Sequence, residues 1–332
     1  MTKIRAAITG VGAYLPDYIL NNDELSRMVD TSDEWITQRV GIKERRILRE
    51  KGKATSDLAA NAILELLKKT NTAPEDIDLL VIPTITPDMA FPSTANLAGY
   101  KTGLVNAFTF DLAAACSGFI YGIETVSRLV ESGAYKKAIL CGADMMSSIT
   151  DYSDRSTCPL FGDAAAAVLI EPTTEEYGVM DRIIGYDGSG REYLHMRAGG
   201  SLRPPSHETV DNREHTFYQE GKVVYKFAVA KMSDISTEII KRNNITINEH
   251  VWLVPHQANM RIIEAVGNRI GFDRKHVLIN IDRYGNTTAA TIPLCFWDFE
   301  KQFKKGDHLI LTAFGAGFTW GTIYLKWAYN SN

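Results

Sequence analysis

The chain has 332 residues, 45% of them hydrophobic and 23% charged. That is enough apolar material for one large domain or two medium ones, and too much for a disordered chain. Lys+Arg of 36 against Asp+Glu of 40 gives a formal net charge of -4, which lacks the basic excess of a dedicated nucleic-acid binder.

Along the chain, the N-terminal MTKIRAAITGVG lacks the apolar region of a signal peptide and reads as a strand entering a Gly turn. Gly10-Val11-Gly12 fails the dinucleotide fingerprint, because Leu15 stands where the third glycine belongs. A helix is predicted from about Asp57 to Lys69, with Ala59, Ala62, Ile63, Leu66 and Leu67 on one face, followed by a buried strand at Leu79-Leu80-Val81-Ile82. A strand over Ala107 to Asp111 leads through Cys116 into a helix whose apolar face is Phe119, Ile123, Val126 and Val130, closing at Gly133. The longest apolar run, Ala164 to Ile170, has seven residues, far short of the ~20 a membrane helix needs. Residues 186–221, with GYDGSG, Arg-Pro-Pro and the histidines 195, 207 and 215, read as a long ordered loop or lid. His207 and His215 lack a cysteine or carboxylate framework for a metal and are assigned to a solvated loop. Strands alternating with amphipathic helices throughout make the fold α/β.

The chain also repeats itself. KKTNTAPEDIDLLVIP from Lys68 matches KRNNITINEHVWLVP from Lys241 (241 − 68 = 173), the next helices end at Gly103 and Gly271, and Gly142 matches Gly315 (315 − 142 = 173). Two tandem structural copies are expected, 1–173 and 174–332, with the boundary in the polar turn at 171–176.

Four cysteines, at 116, 141, 158 and 295, form no CxxC pair and suit neither a disulfide framework nor a zinc site. Cys141, within KKAILCGAD, and Cys295, within an amphipathic helix, read as buried small hydrophobes. Cys116 differs by position. At a helix N-terminus the macrodipole favours thiolate over thiol, and neighbouring Ala and Gly residues keep bulk away from the sulfur. By the repeat, the turn at 283–286 corresponds to Cys116 (286 − 116 = 170), and the strand end at Pro83-Thr84 corresponds to Pro255-His256. Packing of the halves about a pseudo-twofold axis would bring Cys116, His256 and Asn286 to one site.

The motifs TSDEWITQRVGIKERR (31–46), DLAAACSGFIYG (111–122), DRSTCPLFGDAAAA (154–167), WLVPHQANMRII (252–263), DRYGNTTAATIP (282–293) and AFGAGFTWG (313–321) run nearly the whole chain. In these the chain resembles β-ketoacyl-[acyl carrier protein] synthase III, a condensing enzyme of the thiolase superfamily. The resemblance implies a thiolase-like α/β fold with two pseudo-duplicated halves in five α-β-α-β-α layers. It implies a catalytic Cys116, His256 and Asn286, with the backbone N–H groups of Cys116 and Ala316 as oxyanion hole. Trp35, Arg39, Arg155 and Asn259 would bind CoA and its pantetheine arm, and Phe91 and Phe314 would border the acyl pocket, Phe91 from a partner subunit. Lys226, Gln257, Arg261 and Arg269 would dock the carrier protein. Ala316 stands where the family usually has glycine, and Gly→Ala is costly if φ is positive. The resemblance further implies acyl-CoA and malonyl-[acyl carrier protein] as substrates, no metal or redox cofactor, a homodimer and a cytoplasmic location.

The order Cys, His, Asn is also that of papain-like proteases. The context ACSGF rather than CGSCW, and the duplication, speak against that reading. Two rivals keep the fold: a condensing enzyme of secondary metabolism, and a non-catalytic acyl-CoA-binding relative that would have no need of the nucleophile.

Overall fold

The computed structural model describes residues 3–331. The central strands are buried on both faces, so each sheet lies between two layers of the core. The first sheet has the order β1 (Arg5–Tyr14), β5 (Ala164–Thr173), β4 (Ala138–Asp144), β2 (Leu79–Pro83), β3 (Phe108–Leu112). The second runs β6 (Gly178–Tyr186), β9 (Thr319–Lys326), β8 (His308–Gly315), β7 (Val251–Pro255). In both sheets the first three strands are antiparallel and the next pair parallel. Among the described residues the second sheet has no fifth strand and ends in a single Leu253–Val277 bridge where β3 would lie. The chain passes from one sheet to the other between Thr173 and Gly178.

Successive side chains of a strand point to opposite faces, and the packing follows that rule. Leu80, Ile82, Ile139 and Cys141 face the helices α2 (Thr55–Thr70) and α3 (Thr94–Thr102) through Leu58, Ile63 and Ala98. Their neighbours Leu79, Val81 and Leu140 face inward, onto α4 (Gly118–Glu131). In the same cluster α7 (Thr291–Phe299) contributes Ile292 and Phe296, and the second sheet contributes Leu309, Leu311 and Ile323. The other face of that sheet, with Leu253 and Ile310, is covered by α5 (Gly221–Arg242) and α6 (Met260–Ile270) through Met232, Ile239 and Ile263. The result is the five-layered α-β-α-β-α body, with α4 and α7 as its shared central layer.

That central layer refines the repeat. Residues 115–117 and 288–290 are both one-turn 3₁₀ segments leading directly into α4 and α7 (288 − 115 = 173). Both open on a residue with positive φ, Ala115 at 45° and Thr288 at 49°. The counterpart of Cys116 is therefore Ala289, not Asn286; the sequence alignment was three residues out of step because the loop before the turn is not conserved in length. Gly142 packs on the Ala289–Ala290 peptide as Gly315 packs on that of Cys116–Ser117. A Cβ at Gly142 would lie 2.3 Å from the Ala289 oxygen, a backbone atom that cannot move alone. Gly142→Ala is expected to destabilise by about 1–3 kcal/mol, seen as a lower urea midpoint with an unchanged m-value.

Residues 186–221 are ordered into two short strands, Leu194–Met196 paired with Phe217–Gln219, and a one-turn helix, His207–Asp211. His215 bonds Thr209 through Nε2 at 2.9 Å, and His207 is exposed.

Candidate active site

A cleft of about 620 Å³ is lined by Cys116, His256 and Asn286, delivered from three different strand or turn ends. Trp35, Arg39, Arg155, Asn259, Arg261 and Phe314 line it as well, and Leu194, Phe217 and Gln219 of the 186–221 segment form part of its wall. A recess of similar volume, about 610 Å³, beside Ile4, Tyr135 and Tyr177 has neither cysteine nor histidine in its lining.

Cys116 sits in the tight turn between β3 and α4. The turn is backed by Gly315, where a Cβ would lie 3.0 Å from the amide nitrogens of both Cys116 and Ser117. Ser117 Oγ donates to the Thr319 carbonyl at 3.1 Å, tying the turn to β9. Burial pushes the Cys116 thiol up to about 12; the Asp144 carboxylate acts in the same direction, while its own backbone N–H and the Asn286 amide oppose them. The expected thiolate is thus reversed in the free protein. A helix terminus contributes only ~0.3–1 kcal/mol, less than desolvation of a charged sulfur costs.

His256 follows β7 and is 1% exposed. Burial pushes its imidazole down to about 3, so it is neutral at working pH. Nδ1 lies 2.7 Å from Thr291 Oγ1. The Thr288 carbonyl, 2.9 Å from the same hydroxyl, already accepts the Thr291 backbone N–H. A carbonyl oxygen has two lone pairs, so the one proton of the hydroxyl serves either that carbonyl or Nδ1; where it turns to Nδ1, the imidazole proton sits on Nε2, the nitrogen left for the cleft. Asn286 is held by its backbone to Leu160 and Gly162. Its Oδ1 accepts from the Thr288 N–H at 2.9 Å, so its amide N–H₂ is the end presented toward the Cys116 sulfur. The site accordingly combines a nucleophile with a neutral imidazole and an amide donor.

Ala316 is absent from the residues with positive φ, so its methyl carries no left-handed strain and the concern over glycine does not apply. At the cleft mouth, α1 (Asp33–Val40) is capped by Ser32, ends at Gly41 and packs there on Met260. That contact sets Trp35 and Arg39 near Asn259, the N-cap of α6. Arg155 stacks on the Trp35 ring at 4.8 Å, Arg39 lies 5.5 Å from the same ring, and Arg155 also pairs with exposed Asp30 at 3.2 Å.

One assignment changes, that of Gln257. Gln257 is 1% exposed, and its Nε2 donates to the carbonyls of Pro255 (2.7 Å) and Leu278 (3.2 Å) while Oε1 accepts from Asn280 N (3.1 Å). It braces the end of β7 and has no surface for a carrier protein. Phe91 is 84% exposed and does not line the cleft of its own chain. Of the remaining basic residues, Lys226 and Arg261 are exposed and unpaired among the described residues, whereas Arg269 pairs with Asp234 at 2.9 Å. Residue-level reading of the sequence missed Thr288, Thr291, Asp144 and Lys222, the last of which also lines the cleft. The 173-residue offset carries the signal for Thr288, which it matches to Ala115.

Family models for 3-oxoacyl-[acyl-carrier-protein] synthase III match residues 110–188, and its C-terminal model matches residues 240–327. A β-ketoacyl-[acyl-carrier-protein] synthase III of Bacteroides thetaiotaomicron is 58% identical over 330 residues, 99% of this chain and 98% of that one. The chain belongs to the β-ketoacyl-[acyl-carrier-protein] synthase III family. The crystal structure of the synthase III from Aquifex aeolicus superposes with a TM-score of 0.88 at 37% identity, covering 97% of this chain and 100% of that one. The priming β-ketosynthase of the R1128 polyketide pathway gives 0.89 at 29% identity, covering 98% and 97%. Synthase III membership makes this an acyltransferase-type condensing enzyme with a thiolase-like fold.

Proposed function

We propose that the chain condenses an acyl-CoA primer with malonyl-[acyl carrier protein], releasing CoA and CO₂ and giving β-ketoacyl-[acyl carrier protein], the initiating step of type II fatty acid synthesis. The observation that carries this is the convergence of one thiol, one neutral imidazole and one amide donor on one cleft. Cys116 sulfur attacks the acyl-CoA carbonyl, its proton passing to the departing CoA sulfur, and an acyl-cysteine remains. The malonyl thioester then loses CO₂. The electron pair of that broken C–C bond moves into the thioester carbonyl, and His256 Nε2–H and Asn286 Nδ2–H₂ donate to the resulting enolate oxygen. The enolate carbon attacks the acyl carbonyl, whose oxyanion is assigned to the N–H groups of Cys116 and Ala316. Collapse expels the cysteine sulfur, which takes a proton from solvent. Every electron pair moves between substrates and side chains, so the scheme calls for no metal or redox cofactor.

The adenine of CoA is assigned to Trp35 and Arg155, its phosphates to Arg39, and its pantetheine arm to Asn259. Arg155 rests directly on the indole, so an intervening ring requires the guanidinium to swing away. Lys226 and Arg261, with Arg269, form the docking face for an acidic carrier protein. Phe91, solvent-exposed here, would reach the acyl pocket of a second copy in a homodimer acting in the cytoplasm.

Incubation with acetyl-, isobutyryl-, hexanoyl- and octanoyl-CoA, read by intact mass and peptide mapping, tests the reading. An adduct on Cys116 discharged by malonyl-carrier protein is the expected result, and no adduct with any primer overturns it. Discharge by malonyl-CoA alone would instead favour a condensing enzyme of secondary metabolism, the activity class to which the similar priming β-ketosynthase belongs.

A further inference from the structure

The second half of the chain keeps the architecture of a nucleophile turn without a nucleophile. Thr288, Ala289 and Ala290 repeat Ala115, Cys116 and Ser117, down to the positive φ of the first residue and the glycine packed against the peptide that follows. Two residues beyond those glycines the halves diverge: the chain carries Asp144, which contacts Ala289, in one half and Gly317 in the other. Asp144 is fully buried at the end of β4. Its Oδ1 accepts from Thr84 Oγ1 (2.9 Å), Ile85 N (2.8 Å), Thr86 N (3.2 Å) and Thr86 Oγ1 (3.0 Å). Its Oδ2 accepts from the Thr288 hydroxyl and from Ala289 N at 3.4 Å. No cation pairs with it among the described residues; six neutral donors hold it instead.

We propose that Asp144 permanently fills the degenerate counterpart of the oxyanion hole and is a positioning residue for the decarboxylation donors of the working site. The path is short and continuous. Asp144 holds the Thr288 side chain, and the Thr288 N–H in turn fixes Asn286 Oδ1 at 2.9 Å. The Thr288 carbonyl receives the N–H of Thr291, whose hydroxyl orients His256. A β-branched residue at a φ of 49° is unfavourable and persists only where its surroundings over-determine it. The carboxylate supplies that restraint. Thr288 thus anchors both donors, and Asp144 anchors Thr288.

This inference rests on the donor roles given to His256 and Asn286, and a two-part assay separates the two ideas. Acylation of Cys116 by acyl-CoA is timed by intact mass, and CO₂ release from malonyl-carrier protein by the acyl-enzyme is timed separately. Asp144→Asn keeps an acceptor for the Thr84–Thr86 turn but turns an N–H₂ toward Thr288 and Ala289. It is expected to slow CO₂ release by on the order of 10- to 100-fold while acylation is not slowed, since the lost charge had helped push the Cys116 thiol up. Thr288→Val should reproduce the loss, Thr288→Ser should restore the rate, and the double variant Asp144→Asn/Thr288→Val should add little to either single one. Equal loss in both half-reactions, or unchanged CO₂ release in Thr288→Val, overturns the proposal. Thr288→Val alone decides the matter if Asp144→Asn does not fold. A wild-type acyl-enzyme that released no CO₂ would instead remove the donor roles themselves.

Discussion

Cys116→Ser is expected to lower acyl transfer by on the order of 10³-fold or more and to leave no adduct on the peptide containing residue 116. A serine hydroxyl in the same turn is a far weaker nucleophile than the thiol, and Asn286 faces it with a donor amide rather than a base. The fold should survive, since sulfur to oxygen at a half-buried position changes volume little. The same geometry fixes the pH dependence of the wild-type thiol. With the free-enzyme thiol pushed up to about 12, only the small thiolate fraction reacts at neutral pH, and that fraction grows with pH. Alkylation by iodoacetamide should therefore rise about tenfold per pH unit between roughly pH 7 and 9. A plateau across that range would mean a thiolate already formed, as a dominant helix dipole would give.

His256→Ala and Asn286→Ala are each expected to slow malonyl decarboxylation by about 10²–10³-fold, the loss associated with one oxyanion donor, while sparing the acylation of Cys116. Removing one donor leaves the enolate oxygen with a single hydrogen bond in a buried site, where the charge has little water to fall back on. Because burial pushes His256 down to about 3, the imidazole stays neutral as pH falls through the ordinary histidine range. Decarboxylation by preformed acyl-enzyme should be flat between about pH 5 and 9, in contrast to the rising alkylation of the free thiol. An acid limb with a midpoint near 6.5 would show that His256 titrates normally and is solvated. Equal loss of both half-reactions in His256→Ala would contradict its assignment to the second step alone.

The alternation of strands and helices, the tandem repeat and the residue types of the site were legible because each is written in local pattern. A two-residue or 3.6-residue period and a punctuating glycine need no knowledge of neighbours. Even the exact partner of Cys116 escaped that reading. Asn286 lies three residues before the position that matches it, and only the shared turn geometry of 115–117 and 288–290 reveals Ala289 as the counterpart. The burial of Gln257 was equally hidden, since a motif gives residue types without saying which way each one faces.

For this protein the sequence alone determined the α/β class, the duplication and the trio of Cys116, His256 and Asn286. The opening choice between one large domain and two medium ones resolves into two similar halves sharing one central helical layer. Tertiary structure decided the electrical state of the trio: a protonated thiol, a neutral imidazole, and an amide turned by Thr288. It also placed Asp144 where the two halves meet. The reason is physical. Desolvation and hydrogen-bond orientation depend on groups more than a hundred residues away in sequence, as Asp144 and Thr288 are, and no local pattern encodes them.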